Sequence, residues 1–394
     1  MRVLYVAPRY HTNQIPIVKG WLDHGDQVMF ISQNSGTPED YSVLKPVILG
    51  YSYVFEVVAR IYRTLFCREE KSDKKEFDFR IKVGFPPLGS SRKYVSIFKP
   101  DVAILRERSV YNIPFCLMCR KKNIPCILYN QSPLWDKPKS DRGILKWIFL
   151  NFLPEMRMTP VMGIQGHGNV EMVNTVYVPF VIEPRIAPNQ KGSFQSGRVN
   201  LICVGRYEER KNLMMLVKVL DSIKEKYDFS LVVIGEYQNE GQKEYYKKLE
   251  TMIATYDMCE RIRLLKNLNM DQMYDEYRKA DLFVLPSTRE RASVSQLEAM
   301  SCSLPVVCSN TNGTANYVQD GVNGFLFRDN DADDLRNKLE MLLSDRGKLL
   351  EMGKNSYMLV CDKYQFIQYY EKIREIIRDI DFRELSTKSK EKKR

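Results

Sequence analysis

The chain has 394 residues, with 60 Lys and Arg against 49 Asp and Glu, and a net charge of +11 at neutral pH. At about 150 residues per domain, this length predicts two or three domains. A hydrophobic fraction of 44% supplies full-size cores and excludes disorder of the bulk of the chain. No uninterrupted apolar run reaches the roughly 18 residues of a transmembrane helix. Nine cysteines in no disulfide pattern and an N-terminus without a signal-peptide layout predict a reduced, cytoplasmic protein.

Strand and helix patterns alternate along both halves of the chain. In the first half, short apolar runs predict strands at 3–7, 27–32, 102–105 and 126–129, and a helix at 15–24. The charged stretch 68–80 is expected to be an exposed loop or an insertion. In the second half, strands are predicted at 200–204, 230–234, 261–265, 282–285 and 305–308, with helices at 213–227, 244–256, 270–279 and 294–302. This alternation predicts α/β architecture with two doubly wound parallel sheets.

A segment rich in Pro, Gly and Ser at 180–198 separates the two halves. We therefore place an N-terminal domain at 1–185 and a C-terminal domain at 186–394. The last helix of the second domain is expected to pack back on the first.

The loop after the predicted strand 282–285 is the strongest candidate site. Ligands of open parallel sheets bind beyond the carboxyl ends of the strands. A helix is expected to begin near Ser293, so the free N–H groups of Ala292, Ser293 and Val294 would form a phosphate site. Glu290 and Glu298 could hold two parts of one elongated ligand. The alternative is a helix-capping acid at Glu290 and a surface acid at Glu298.

A second candidate loop follows the strand 200–204. Gly205 is expected to allow a sharp turn, and Arg206 and Lys211 bring two cations to the same strand end. The alternative is a solvated charge cluster, because Glu208, Glu209 and Arg210 occupy the same loop.

Together these loops belong to a longer motif series. The sequence has V-G-R at 204–206, K-N at 211–212, A-D-L-F-V-L-P-S at 280–287, E at 290, E-A-M at 298–300, L-P-V-V at 304–307 and D-G-V-N-G at 320–324. In order and spacing, this series resembles the retaining nucleotide-sugar glycosyltransferases of family 4, also described as glycosyl transferases group 1. The resemblance implies the GT-B fold, in which two Rossmann-like domains face a cleft. It further implies that the domain at 1–185 binds the acceptor and that the domain at 186–394 binds the nucleotide sugar.

The resemblance also implies residue roles. Arg206 and Lys211 would bind the donor diphosphate beside Gly205, and Glu290 would contact the donor sugar. The N–H groups of residues 292–294 would meet the distal phosphate, Glu298 the ribose, and backbone near Leu268 the base. No metal or other cofactor is implied, because fixed positive charge can stabilise the anionic leaving group. Retention is ascribed to same-face attack without a protein nucleophile.

The sequence departs from the family pattern in several places. Arg291 and Ser293 stand where glycines are usual, and Asn316 stands where a glutamate is usual. The first half lacks the usual glycine-rich loop and the usual histidine after a later strand. Asn130 or Gln131 could replace that histidine, and His11 is a second candidate for a contact with the acceptor or the sugar. His167 is a third, weaker candidate.

The basic charge and the family resemblance together suggest the partners. There is no nucleic-acid recognition motif, and an anionic membrane surface is the better partner. The basic aromatic segment 142–153 is either an interfacial helix or a core helix. The leading hypothesis is a transferase acting on a glycan or lipid-linked acceptor, in bacterial surface polysaccharide synthesis at the inner face of the membrane. Alternatives are a non-catalytic nucleotide-sugar-binding subunit, and a same-fold epimerase or phosphorylase.

Overall fold

Two parallel sheets organise the chain in the computed structural model. The structure describes all residues except 36–39, 67–71, 107–108, 138–143, 145–147, 150–151, 155, 167, 195–196, 289 and 392–394, with backbone only for 12, 72–74 and 381–391. The chain forms two compact units. Unit 1 comprises Met1–Pro160, Gln165–Val181 and Phe366–Arg394, and unit 2 comprises Val161–Ile164 and Ile182–Gln365. No helix in the described ranges is long and apolar enough to cross a membrane.

Unit 1 is built on a seven-stranded parallel sheet with the order β3-β2-β1-β4-β5-β7-β9. Its strands are β1 (Arg2–Ala7), β2 (Gln27–Ser32), β3 (Val47–Ile48), β4 (Val102–Arg106), β5 (Cys126–Tyr129), β7 (Arg157–Thr159) and β9 (Thr175–Tyr177). A small antiparallel pair, β6 (Trp135–Asp136) and β8 (Val170–Glu171), lies outside this sheet. The central strands are near-continuous hydrophobic runs because both of their faces are buried.

The helices of unit 1 cover this sheet. Among the described residues, the helices with defined bounds are α1 (Ile15–Asp23), α2 (Tyr53–Phe66), α3 (Ser72–Val83), α4 (Leu88–Phe98), α5 (Asn112–Lys121) and the C-terminal α12 (Phe366–Glu391). The last helix packs on α1, where the Trp21 and Phe366 rings meet edge to face at 5.1 Å. The Trp21 indole donates to the Tyr5 hydroxyl at 2.9 Å, and the hydroxyls of Tyr5 and Tyr369 are 3.1 Å apart.

The charged stretch 68–80 differs from the expected loop. Its described part lies in the helix α3, which packs against α2. Phe79 stacks on Tyr62 with ring centroids 3.9 Å apart, and Arg80 forms ion pairs with Glu56 and Glu76. The expectation of a loop was wrong because these tertiary contacts stabilise a helix whose sequence has no clear apolar periodicity.

Unit 2 is built on a six-stranded parallel sheet with the order β12-β11-β10-β13-β14-β15. Its strands are β10 (Val199–Val204), β11 (Phe229–Gly235), β12 (Ile262–Lys266), β13 (Leu282–Leu285), β14 (Val306–Ser309) and β15 (Gly324–Phe327). Its helices are α6 (Leu213–Ile223), α7 (Glu240–Thr255), α8 (Met270–Lys279), α9 (Val294–Ser301), α10 (Ala332–Leu343) and α11 (Arg346–Lys363). The doubly wound α/β fold predicted from the sequence is confirmed.

The strand order of unit 2 reverses between β10 and β13. The chain first adds β11 and β12 on one side of β10, and then returns to place β13 on the other side. Loops that leave adjacent strands on opposite sides of this point open a crevice at the carboxyl edge. The loops 205–212 and 286–293 are these two loops, so the fold itself brings the two candidate motifs together.

Candidate functional site

A buried charge cluster joins the two loops of unit 2. The Lys211 ammonium donates to Glu290 Oε2 at 2.6 Å, and the Arg210 guanidinium donates to the same oxygen at 2.6 Å. Lys211 and Glu290 side chains are each 9% exposed, whereas Arg210 is 40% exposed. Both cations bind one carboxylate oxygen, and Glu290 Oε1 makes no hydrogen bond within the described part of the chain. The cluster thus fixes the carboxylate through one of its two oxygens.

Gly205 makes room for Lys211. A Cβ atom at Gly205 would lie 2.8 Å from Lys211 Cε and 3.0 Å from its Cδ, tighter than real Cβ contacts normally are. Gly205 lies at the bend that directly follows β10, as expected, and its φ is outside the left-handed region. The missing Cβ also lets the lysine stem lie close to the backbone.

Arg206 lies apart from this cluster. Its guanidinium pairs with Glu236 at 3.0 Å, and both side chains are about half exposed. These two residues follow the adjacent strands β10 and β11. Of the cations in the loop, Lys211 and Arg210 therefore contact Glu290. Arg206 instead pairs with Glu236 and is half exposed.

Arg210 was missed as a candidate by the sequence analysis, which assigned it to a solvated cluster. The short 3₁₀ turn Glu209–Lys211 decides its direction, and Asn212 ends this turn with a φ of 52°. The spacing of Arg206, Arg210 and Lys211 along the sequence does not reveal which of these side chains will contact Glu290.

The helix α9 begins at the second loop. Ser293 caps it, since its hydroxyl accepts the Gln296 N–H at 3.4 Å. Glu290 is therefore not the capping residue, which removes that part of the alternative interpretation. The N–H of Ser293 faces Thr314 Oγ1 at 3.4 Å, while those of Ala292 and Val294 make no hydrogen bond within the described residues. Two N–H groups thus remain at the positively polarised end of α9.

A network of hydrogen-bonded, buried polar side chains stabilises this loop. Gln296 Oε1 accepts from Asn312 Nδ2 at 2.6 Å and from Thr314 Oγ1 at 2.9 Å. The Gly313 N–H donates to the Glu290 carbonyl at 2.7 Å, and a Cβ at Gly313 would overlap the Arg291 carbonyl. The sequence analysis missed the network of Gln296, Asn312 and Thr314 because Gln296 lies 16 and 18 positions from its two partners.

Glu298 lies within α9 and is not a surface acid. Its Oε2 accepts the Tyr277 hydroxyl at 3.1 Å, and burial raises the pKa of the Glu298 carboxyl. Burial likewise raises the pKa of Tyr277, so the phenol stays a hydrogen-bond donor. Arg185, which lies over the Tyr274 ring at 5.3 Å, acts to lower the pKa of Glu298. The second part of the alternative interpretation, a surface glutamate, is wrong.

Leu268 follows β12 at the same carboxyl edge of unit 2. It is half-buried and comes directly after Asn267, which has a φ of 52° and accepts the Tyr237 N–H at 3.1 Å. The base contact predicted near Leu268 stays a prediction.

The candidates of unit 1 lie at the carboxyl edge of its own sheet. His11 follows β1, and its Nε2 accepts from Arg9 Nε at 3.1 Å. Burial, with added repulsion from Arg106 and Arg9, lowers the pKa of His11 to about 3, so the ring is neutral. Asn130 follows β5 and is buried, and its Oδ1 accepts the N–H of Ser132 at 3.1 Å.

Other sequence candidates contribute less. Gln131 is half-buried beside Asn130, and its role stays a prediction. His167 lies outside the described residues, as do Arg142, Lys146 and Trp147 of the segment 142–153. In the same segment, Ile144 is exposed and Leu153 is buried. Among the described residues, no group of three or more His, Cys, Asp or Glu is arranged to hold a metal ion.

Comparison with known proteins finds a family whose members are similar to the region that carries these motifs. Residues 187–358 match the model described as "Glycosyl transferases group 1". The D-inositol 3-phosphate glycosyltransferase of Pseudarthrobacter chlorophenolicus is 27% identical over 161 residues, 40% of this chain and 37% of that protein. In the alignments with the first curated relatives, the matched region spans less than half of the relative.

Solved structures match nearly the whole chain. A glycosyltransferase from Rickettsia africae has a TM-score of 0.70 at 15% identity, covering 96% of this chain and 98% of that one. Anabaena HepE in complex with UDP-glucose has a TM-score of 0.66 at 14% identity, with 96% and 100% covered. At this identity the structures establish a shared fold. Residues 187–358 are thus similar to the glycosyl transferases group 1 family, and the fold of the chain is that of the GT-B glycosyltransferases.

Proposed function

We propose that the protein is a retaining glycosyltransferase that moves a sugar from a nucleoside-diphosphate donor to a glycan or lipid-linked acceptor. The observation that carries this proposal is the cluster of Lys211, Arg210 and Glu290 at the carboxyl edge of unit 2. The family match of the same residues supports it. So does the structural similarity to a protein solved with UDP-glucose.

In this proposal, unit 2 binds the donor along its sheet edge. Lys211 and Arg206 lie on the diphosphate, and the N–H groups of Ala292 and Val294 bind its distal phosphate. Glu290 uses its second oxygen to accept hydroxyl groups of the sugar. Glu298, held by Tyr277, binds the ribose, and backbone near Leu268 meets the base.

Transfer then depends on charge stabilisation. The bond between the anomeric carbon and the phosphate oxygen breaks, and negative charge develops on the leaving diphosphate. Fixed cations and N–H groups at that position stabilise the charge as it forms. The acceptor hydroxyl attacks from the same face and gives its proton to a phosphate oxygen of the leaving group. No protein nucleophile and no metal takes part in this scheme.

In unit 1, the proposal assigns the acceptor or sugar contact to His11, Asn130 and Gln131. The low pKa of His11 supports hydrogen bonding rather than proton donation. We further propose that the protein acts in bacterial surface polysaccharide synthesis, in the cytoplasm and peripherally at the inner face of the membrane. The basic net charge supports an anionic surface as a partner.

The test is release of a nucleoside diphosphate. Purified protein is incubated with UDP-, GDP-, ADP- and dTDP-sugars in the presence of a membrane extract, with Glu290→Gln as the matched control. We expect release with one donor class and its loss in the variant. Tight donor binding without any turnover would favour the alternative of a non-catalytic binding subunit. Turnover in Glu290→Gln equal to that of the parent would refute the assigned site.

A further inference from the structure

A stripe of aliphatic side chains on α2 faces solvent. It consists of Val54, Val57, Val58, Ile61 and Leu65, which are between 41% and 73% exposed. Their spacing of three, one, three and four residues places them on one face of the helix. A contiguous, exposed aliphatic face of this kind marks a surface that contacts another protein or a membrane.

The stripe is separate from the face by which α2 is packed. Phe55 and Ala59 are buried toward the unit. Tyr62 stacks on Phe79 of α3 at 3.9 Å, and Glu56 pairs with Arg80 at 3.0 Å. Within the described part of the chain, the aliphatic stripe therefore stays exposed.

The charge of the two units indicates what covers the stripe. Unit 1 contains 34 Lys and Arg and 22 Asp and Glu, a net charge of +12, whereas unit 2 has 26 and 27, a net charge of −1. Arg60 lies on the same helix, one turn after Val57, and has no ion pair with the described residues. A second copy of unit 1 would meet this surface with the same charge, whereas an anionic surface is attracted to it.

We propose that α2 is the docking surface of the protein on an anionic bilayer. The aliphatic stripe lies in the boundary between headgroups and acyl chains, and Arg60 contacts the lipid phosphates. This assigns the membrane contact to α2 rather than to the segment 142–153. The inference deepens the proposed function and rests on its membrane partner, but vesicle binding requires no transfer, so the two can fail separately.

Co-sedimentation with vesicles tests this surface. The full-length protein is mixed with vesicles of phosphatidylglycerol and phosphatidylcholine in equal amounts, and with vesicles of phosphatidylcholine alone. We expect binding to the anionic vesicles that weakens as salt is added. The double variant Ile61→Ser with Leu65→Ser should bind at least about 30-fold more weakly, since each side chain loses most of its apolar contact.

Two controls make the result specific. Leu350 and Met358 of unit 2 are exposed to a similar extent, and their double replacement by serine should leave vesicle binding unchanged. Melting curves should show that both double variants remain folded, and both should release nucleoside diphosphate in solution like the parent. An Ile61→Leu variant should keep vesicle binding.

Three outcomes would overturn the inference. The first is a parent protein that does not bind the anionic vesicles at low salt. The second is a folded Ile61→Ser, Leu65→Ser variant that binds them like the parent, which would put the contact elsewhere. The third is a parent that is a dimer and a variant that is a monomer with unchanged vesicle binding, which would make a second copy the occupant of the stripe.

Discussion

Adding one methyl group at Gly205 perturbs the charge cluster without removing any of its charges. The Cβ of Gly205→Ala would lie 2.8 Å from Lys211 Cε, and ordinary contact begins near 3.4 Å. The lysine stem must therefore move by about 0.6 Å, which is easy for a flexible side chain. The ammonium would then leave its position 2.6 Å from Glu290 Oε2. The expected result is a protein with unchanged thermal stability and weaker transfer.

The size of this effect follows from the displacement. A misplacement of about 1 Å at a reacting site costs up to about 100-fold in rate, so a shift of about 0.6 Å predicts a loss of between about 10- and 100-fold in kcat/KM. Lys211→Ala removes the whole donor and should cost about 100- to 1,000-fold. The assay is release of nucleoside diphosphate from the donor, with melting curves measured beside it.

A double-mutant cycle decides whether Gly205 acts through the lysine. In the Lys211→Ala background, Gly205→Ala should cost nothing further, because the side chain that it displaces is absent. The matched control is Gly89→Ala in unit 1, whose Cβ meets no atom within 4 Å and which should behave like the parent. If Gly205→Ala reduces kcat/KM by the same factor with and without Lys211, the packing argument is wrong.

The remaining predictions concern the other charges. Arg210→Ala should reduce kcat/KM and move the Glu290 carboxylate, whereas Arg206→Ala should leave that carboxylate in place, since only Arg210 contacts it. A crystal structure of each variant checks the position of Glu290. Glu298→Gln should weaken binding of the free nucleoside diphosphate by about tenfold, as expected for one hydrogen bond to a charged group, and calorimetry measures it. His11 has a pKa of about 3 when folded and about 6.5 when unfolded, so the unfolded chain takes up the proton first as the pH falls. The melting temperature should therefore fall between pH 6.5 and pH 4, and fall less steeply in His11→Gln; equal slopes would contradict the neutral buried ring.

The fold was predictable because its signals are local. The strands β2, β5 and β13 and the helix α8 have the predicted bounds, since a short apolar run bounded by turn residues specifies a buried parallel strand. The helix α3 was missed because its stability comes from the stacking of Phe79 and the ion pairs of Arg80, and neither contact is visible along the chain.

The sequence by itself determined that two polar loops follow parallel strands, and that Lys211 and Glu290 belong to one motif series. It could not determine that β13 lies beside β10, because β11 and β12 come between them along the chain. Only the tertiary structure decided that Arg210, and not Arg206, shares the Glu290 oxygen, since one 3₁₀ turn sets the direction of each side chain. It also decided that the Lys211 side chain lies against Gly205. The physical reason is that strand and helix patterns arise from neighbours along the chain, whereas the Lys211–Glu290 contact joins residues 79 positions apart.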